Sequence, residues 1–274
     1  MARMSWLVGK TVVVTGASSG IGKCITKILI EEYSCTVIGI GRSKDKLISL
    51  QKELAGLSGM FSYRTFDVSD RLSWLDFSKE LVFTDTHVDI LINNAGTLPP
   101  FDKAMDTPID KIHSTMDTNF YGAVYGMESM WDIIRKSTTP AIINISSSAS
   151  LCAMAGASSY SASKSAIKSF TESMQGEYKD MYIAFVCPGL TKSAIFREQT
   201  TTTIDKRVNM LSMTTEKMAR KIVNGIRKKK SRMVIGLDAK FMDGMYRLFP
   251  KFSRKIVNGI LKTSKVDLYK NVFK

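Results

Sequence analysis

Tyr160 and Lys164 stand four residues apart in a stretch with helical periodicity, so one face of a predicted helix carries a phenol and an ammonium that can converge on one point. A free tyrosine hydroxyl, with a pKa near ~10, exchanges protons poorly at neutral pH, and a neighbouring ammonium favours the phenolate and lowers that value. The pair suits general acid/base work, with the lysine as activator and the phenol as proton carrier. The spacing alone also fits an exposed lysine beside a packed tyrosine.

A second cluster points to a phosphate-bearing ligand. Residues 15–22 read TGASSGIG, between a β-branched run and an amphipathic stretch. Gly16 permits a tight turn, Gly20 lets backbone approach a pyrophosphate, and Gly22 lets helix and strand pack closely. Free N–H groups around Ser18, Ser19, Gly20 and Ile21 would face the phosphates. Twenty residues past Gly22 stands Arg42, with Ser43 next to it. Dinucleotide sites place there either an acid for the ribose 2′-hydroxyl or an arginine for a 2′-phosphate. The planar fork of Arg42 suits a dianionic phosphate, so the expectation is NADP(H) rather than NAD(H). Asp67 and Val68 close the third strand, where a carboxylate and a backbone amide can hold an adenine; a cap or turn role fits Asp67 nearly as well. Asn94, Ala95 and Gly96 end the fourth strand and leave room for a ribose, or simply form a turn.

These groups need a scaffold, and the pattern around them is one of short β-branched runs alternating with helix-length amphipathic stretches. That is the signature of a doubly wound α/β domain with a parallel sheet covered on both faces. Strands are expected at Thr11–Thr15, Thr36–Ile40, Met60–Phe66, Val88–Asn93, Ala141–Ser146, Ile183–Cys187 and Met233–Gly236, with helices after Gly20 and from Ser158 to Tyr178. The polar, Thr-rich stretch from Leu190 to Met213 reads as a mobile loop over a site. At 274 residues, with 44% hydrophobic and 23% charged side chains, the chain can fold as one catalytic unit (1–236) with a C-terminal extension (237–274). Cys24, Cys35, Cys152 and Cys187 lie far apart with only His87 and His113 to join them, which argues against a zinc site. No signal-like or membrane-spanning apolar run occurs, and the expected setting is reducing and cytoplasmic.

Taken together and in this order, TGASSGIG, NNAG at 93–96, Asn119, ISSSAS at 145–150, YSASK at 160–164 and Pro188-Gly189 resemble the short-chain dehydrogenase/reductase family. The resemblance spans about residues 8 to 236. It implies a Rossmann-type, seven-stranded parallel sheet and reversible hydride transfer between NAD(P)(H) and carbonyl or alcohol substrates. It makes Tyr160 the general acid/base, and Lys164 the group that lowers its pKa and binds the nicotinamide ribose. Ser147, thirteen residues before Tyr160, would bind the substrate oxygen, although Ser146 and Ser148 are neighbours and only spacing favours the middle one. Asn119 would hold a relay water through Lys164, and Pro188, Gly189 and Ser193 would meet the nicotinamide end. Two positions depart from the family pattern: Ser150 replaces a frequent glycine and Ser193 a frequent threonine.

Leu98, Met154, Leu190, Ile195 and Phe196 fall where substrate would be met, which implies a lipophilic carbonyl or alcohol, with a hydroxysteroid first. A 3-oxoacyl-(acyl-carrier-protein) or general carbonyl reductase shares the chemistry, and a non-catalytic NADP(H) sensor shares the fold. A homodimer or homotetramer follows from the family likeness. The net charge of +14 is uneven: residues 206–274 hold 19 basic and 4 acidic side chains, against 20 and 21 before them. From Lys240 to Lys262, Phe241, Met245, Leu248, Phe252, Ile256 and Ile260 recur at helical spacing among basic residues, with Pro250 as a break. Such a segment can lie on an anionic membrane, or pack on its own chain or a partner with its lysines in water. No nucleic-acid-binding signature accompanies the charge.

Overall fold

β-Branched runs cannot leave their backbone groups unpaired in a core, and here seven of them pair into one sheet. The computed structural model describes residues 5–192, 212–263 and 272. In chain order these form β1 (Thr11–Thr15), α1 (Gly20–Tyr33), β2 (Thr36–Gly41), α2 (Lys44–Leu54), β3 (Met60–Thr65), α3 (Arg71–Phe83), β4 (Ile90–Asn93), α4 (Ile109–Met116), α5 (Gly122–Arg135), β5 (Ala141–Ile145), α6 (Ser158–Glu177), β6 (Tyr182–Pro188), α7 (Thr215–Arg227), β7 (Arg232–Ile235), α8 (Leu237–Leu248) and α9 (Pro250–Thr263). All neighbouring strands are parallel, in the order β3-β2-β1-β4-β5-β6-β7. Chain direction across the sheet reverses between β1 and β4, which opens a crevice at their carboxyl ends.

Period-two alternation divides β1 between two cores. Val12 and Val14 pack with α1, α2 and α7, through residues such as Ile25, Leu29, Leu47 and Ile222. Val13 faces the other way, into the layer of α3, α5 and α6 with Trp74, Met130 and Ile167. This is the expected Rossmann-type architecture, with strand ends shifted by one or two residues. β4 starts at Ile90 rather than Val88, and β6 runs on to Pro188. Pro250 divides the C-terminal segment as expected, because α8 ends at Leu248 and α9 begins at the proline.

The start of β4 is displaced by a polar anchor at the amino edge. Asp89 is 3% exposed and accepts hydrogen bonds from the Thr11 amide (3.0 Å), Ser137 Oγ (2.5 Å) and Lys10 Nζ (3.2 Å), with His87 Nε2 at 2.9 Å. Burial pushes its pKa up, but hydrogen bonds from Ser137, Thr11, His87 and Lys10 outweigh that and hold it below the usual carboxylate value. A depressed folded-state pKa contributes stability above the unfolded-state pKa, and that stability is lost as pH falls through the folded value. Asp89→Ala is expected to cost about 3 kcal/mol in urea unfolding at pH 7, because it strands buried donors, and the gap to wild type should narrow in acid. An unchanged urea midpoint would show that the anchor is not stabilising.

Candidate active site

α6 lies against the carboxyl end of β5 and delivers its first two turns to the crevice. Tyr160 and Lys164 sit one turn apart on it, as the spacing requires. Lys164 is 4% exposed; its Nζ donates to the Ile145 carbonyl at 3.0 Å and lies 6.0 Å from the centre of the Tyr160 ring. Three serines follow β5, and their environments separate them. Ser146 Oγ donates to the Lys164 carbonyl at 2.7 Å and pins α6 to the strand, while Ser148 is buried in the 3₁₀ turn Ser148–Ser150. Ser147 is extended, caps that turn through the Ala149 amide at 3.2 Å, and hydrogen-bonds the phenol of Tyr160. Of the three, Ser147 is the one whose hydroxyl acts on the Tyr160 phenol. Ser150 has a structural use as well, since its hydroxyl donates to the Ser147 carbonyl at 2.6 Å.

The electrostatics differ from the expectation in one respect. Burial pushes the phenol of Tyr160 above its ordinary pKa, the hydrogen bond with Ser147 pulls it partly back, and charge on Cys187 would raise it further. Burial brings Lys164 itself down to about 8, so its charge is costly where it sits, and its ammonium is aimed at the Ile145 carbonyl.

Asn119 reaches the same pocket from a π-helical turn, Asp117–Tyr121, between α4 and α5. Such single-turn expansions recur at functional sites. Its amide straps the chain after β4: Oδ1 accepts from the Thr97 amide at 2.7 Å, and Nδ2 donates to the Thr97 carbonyl at 2.9 Å and to Ser163 Oγ at 3.0 Å. A Cβ at Gly96 would lie 3.1 Å from Asn119 Oδ1 and 3.2 Å from Lys164 Nζ, so the three groups meet closely.

On the β1 side, Gly16 and Gly20 adopt φ of 67° and 55°, left-handed values that favour glycine. A Cβ at Gly22 would collide with the Gly16 carbonyl and with Asn94 Nδ2, as close helix–strand packing demands. Ser18 Oγ lies against Gly41, and Ile21 packs on the core below. Ser19, at the N-cap of α1, makes no side-chain capping bond, and the first turn holds no acidic residue. Its leading N–H groups are thus left for an outside acceptor, which fits a phosphate-bearing ligand. Thr15, which sequence reasoning missed, accepts from the Asn94 and Ala95 amides at 2.9 Å each and holds the Asn94–Gly96 turn to β1. A hydroxyl at a strand's last position, just before a glycine turn, was the available signal.

Arg42 and Ser43 follow β2, and the exposed Arg42 side chain pairs with Asp67 across 3.6 Å. Asp67 also accepts from Ser69 N and Oγ at 3.0 and 2.8 Å, the turn role left open for it. Val68 turns its side chain inward and gives its carbonyl to Trp74 Nε1.

The segment Pro188–Leu190 is held by a residue with no sequence signal. Asp238, at the start of α8, accepts from the Leu190 amide at 2.6 Å, and its carboxylate is packed so tightly on Gly189 that a Cβ there would collide with it. Leu98 and Met154 form one apolar cluster with Phe101, Ala157, Val272 and the ring of Tyr160. Ser193, Ile195, Phe196 and most of the expected loop lie outside the described residues.

Comparison with known proteins bears on the family and the fold. Residues 10–204 match the family model described as short chain dehydrogenase. The chain is 30% identical over 276 residues, covering 94% of itself and 98% of the relative, to a protein of Mycobacterium tuberculosis named "Putative oxidoreductase SadH". It is 31% identical to "3beta-hydroxysteroid dehydrogenase 2" of Eggerthella lenta, covering 69% of this chain and 74% of that one. In fold it resembles a short chain dehydrogenase/reductase from Burkholderia phymatum solved with NAD, at a TM-score of 0.79 and 17% identity over 90% of this chain and 96% of that one.

Because burial depresses Lys164, its charged form destabilises the fold below about pH 8, and that penalty fades as pH rises toward the lysine's ordinary value. A ¹³Cε lysine NMR titration of the unliganded protein is expected to place the Lys164 midpoint near 8. A midpoint at the ordinary lysine value would mean that the ammonium is solvated.

Proposed function

The chain belongs to the short-chain dehydrogenase family, and from that premise we propose that it is an NADP(H)-dependent oxidoreductase interconverting a lipophilic ketone or aldehyde and its alcohol. The observation that carries this reading is the meeting of Ser147, Tyr160 and Lys164 beneath the apolar cluster of Leu98, Phe101 and Met154. Bound nicotinamide supplies or removes the hydride. The open N–H groups at the start of α1, from Ser19 to Gly22, would hold its diphosphate, and Asp67 and Val68 its adenine. Asn94, Ala95 and Gly96 would border a ribose, while Pro188, Gly189 and Ser193 would line the carboxamide.

Ser147 would hydrogen-bond the substrate oxygen and stabilise charge developing on it. Burial keeps the Tyr160 phenol protonated, ready to give its proton to a carbonyl oxygen that is becoming an alcohol. In the reverse direction the same oxygen takes the proton. Lys164 would bind the nicotinamide ribose and, when charged, favour the phenolate; Asn119, beside it across Gly96, would hold the water through which the proton is exchanged.

Arg42 supports NADP(H) over NAD(H): its exposed guanidinium stands at the end of β2, and its contact with Asp67 is long enough to exchange for a phosphate. A hydroxysteroid is the favoured substrate, supported by the apolar cluster around Tyr160 and by the steroid dehydrogenase among the relatives. The family likeness carries a homodimer or homotetramer with it, and the exposed rings of Tyr121 and Phe170 offer apolar surface for one. None of the four cysteines is in a disulfide, in keeping with a reducing, cytoplasmic setting.

Following NADPH oxidation against steroids, acyl thioesters, quinones and simple ketones tests catalysis and substrate class together. Tyr160→Phe should keep the fold and nucleotide binding but lose at least ~100-fold in kcat; activity within a few-fold of wild type would remove Tyr160 as the proton carrier. Arg42→Asp should invert the ratio of kcat/KM for NADPH and NADH, and an unchanged ratio would refute the 2′-phosphate assignment.

A further inference from the structure

Six of the large apolar side chains exposed among the described residues fall within sixteen positions of the C-terminal helices. They are Leu237 (88% exposed), Phe241 (55%), Tyr246 (36%), Leu248 (72%), Phe249 (57%) and Phe252 (58%). α8 packs on α9 and on β7, yet among the described residues Ala239 and Ser253 are the buried side chains the two helices contribute. The periodicity that would ordinarily build a core here leaves its aromatic residues outside.

The charges around this surface are of one sign. Lys240, Arg247, Lys251, Lys255 and Lys262 are exposed. The two acids between 237 and 263 already have partners: Asp238 holds the Leu190 amide, and Asp243 is ion-paired with both Arg232 and the exposed Arg247. What reaches solvent is therefore an apolar aromatic surface set among lysines and arginine. A second copy docked here about a two-fold axis would bring basic residues against their own counterparts in a low-dielectric interface, which costs association energy. A purely acidic soluble partner would answer the charge but leave the phenylalanines without a purpose. An anionic bilayer surface answers both, because its headgroups take the lysines while the rings enter the boundary with the acyl chains. No helix among the described residues is long and apolar enough to cross a membrane, so the contact is one of lying on the surface.

We propose that α8 and α9 form a peripheral docking surface for anionic phospholipid bilayers. The surface begins at Leu237, beside Asp238, whose carboxylate holds the Gly189–Leu190 segment of the candidate site. Docking would thus bring the catalytic edge close to the bilayer. If the proposed lipophilic substrate is correct, that is where such a molecule concentrates; the docking itself rests on the surface alone and not on that reading.

Flotation of the full-length protein with vesicles of phosphatidylcholine containing phosphatidylserine, against phosphatidylcholine alone, tests this directly. The expected result is at least tenfold greater partitioning onto the anionic vesicles, falling steeply with added salt. Phe249→Ser/Phe252→Ser and, separately, Lys251→Glu/Lys255→Glu should each reduce partitioning at least tenfold, with NADPH oxidation in solution unchanged. No flotation by the wild type, or equal flotation by either double variant, overturns the proposal. Wild-type dimers that the phenylalanine variant converts to monomers in light scattering would overturn it in favour of a second copy of the chain.

Discussion

The buried ammonium of Lys164, held against the Ile145 carbonyl, is the contact on which the site depends. It lies almost fully inside the protein, and it is tolerated because a strand-end carbonyl is aimed at it. The same residue's carbonyl receives Ser146 Oγ, so β5 and α6 are joined through both ends of one lysine. That double tie fixes the depth of α6 in the crevice. It thereby sets Tyr160 against Ser147, and Gly96 against both Lys164 and Asn119. The cost of keeping a charge there appears as its pKa of about 8.

The sheet explains why so many separate segments arrive at one edge. In a parallel sheet every strand delivers its successor loop to the same side, and reversal of direction between β1 and β4 opens the crevice there. Thr15, Arg42, Asp67, Asn94, Ser147 and Pro188 all stand at or just beyond carboxyl ends of strands. Short polar ties then fix the loops: Thr15 to Asn94 and Ala95, Asn119 to Thr97 and Ser163, Ser150 to Ser147, and Asp238 to Leu190. At the opposite edge Asp89 performs the corresponding task, binding the entry into β1 to that into β4. The C-terminal helices add to the catalytic edge rather than to the core, and Asp238 belongs both to the loop it steadies and to the surface those helices expose.

Much of this was legible in the sequence because it is local. The short β-branched runs of the strands, the glycine spacing of residues 15–22, the four-residue step from Tyr160 to Lys164 and the break at Pro250 each depend on a handful of neighbouring residues. Backbone geometry converts such spacing directly into direction. Tertiary structure alone decided the rest. Which partner each serine after β5 meets, the Lys164 carbonyl for Ser146 and the Tyr160 phenol for Ser147, depends on what lies across from each hydroxyl. Asp238 reaches Leu190 from 48 residues away, with nothing in its own neighbourhood to mark it. The Tyr160 phenol is pushed above its ordinary pKa although a lysine stands one turn away, because burial acts on every charged group in the pocket and depends on the whole fold around it. Likewise, helical periodicity in residues 240–262 announced an apolar face, but only packing could show that much of it remains on the outside.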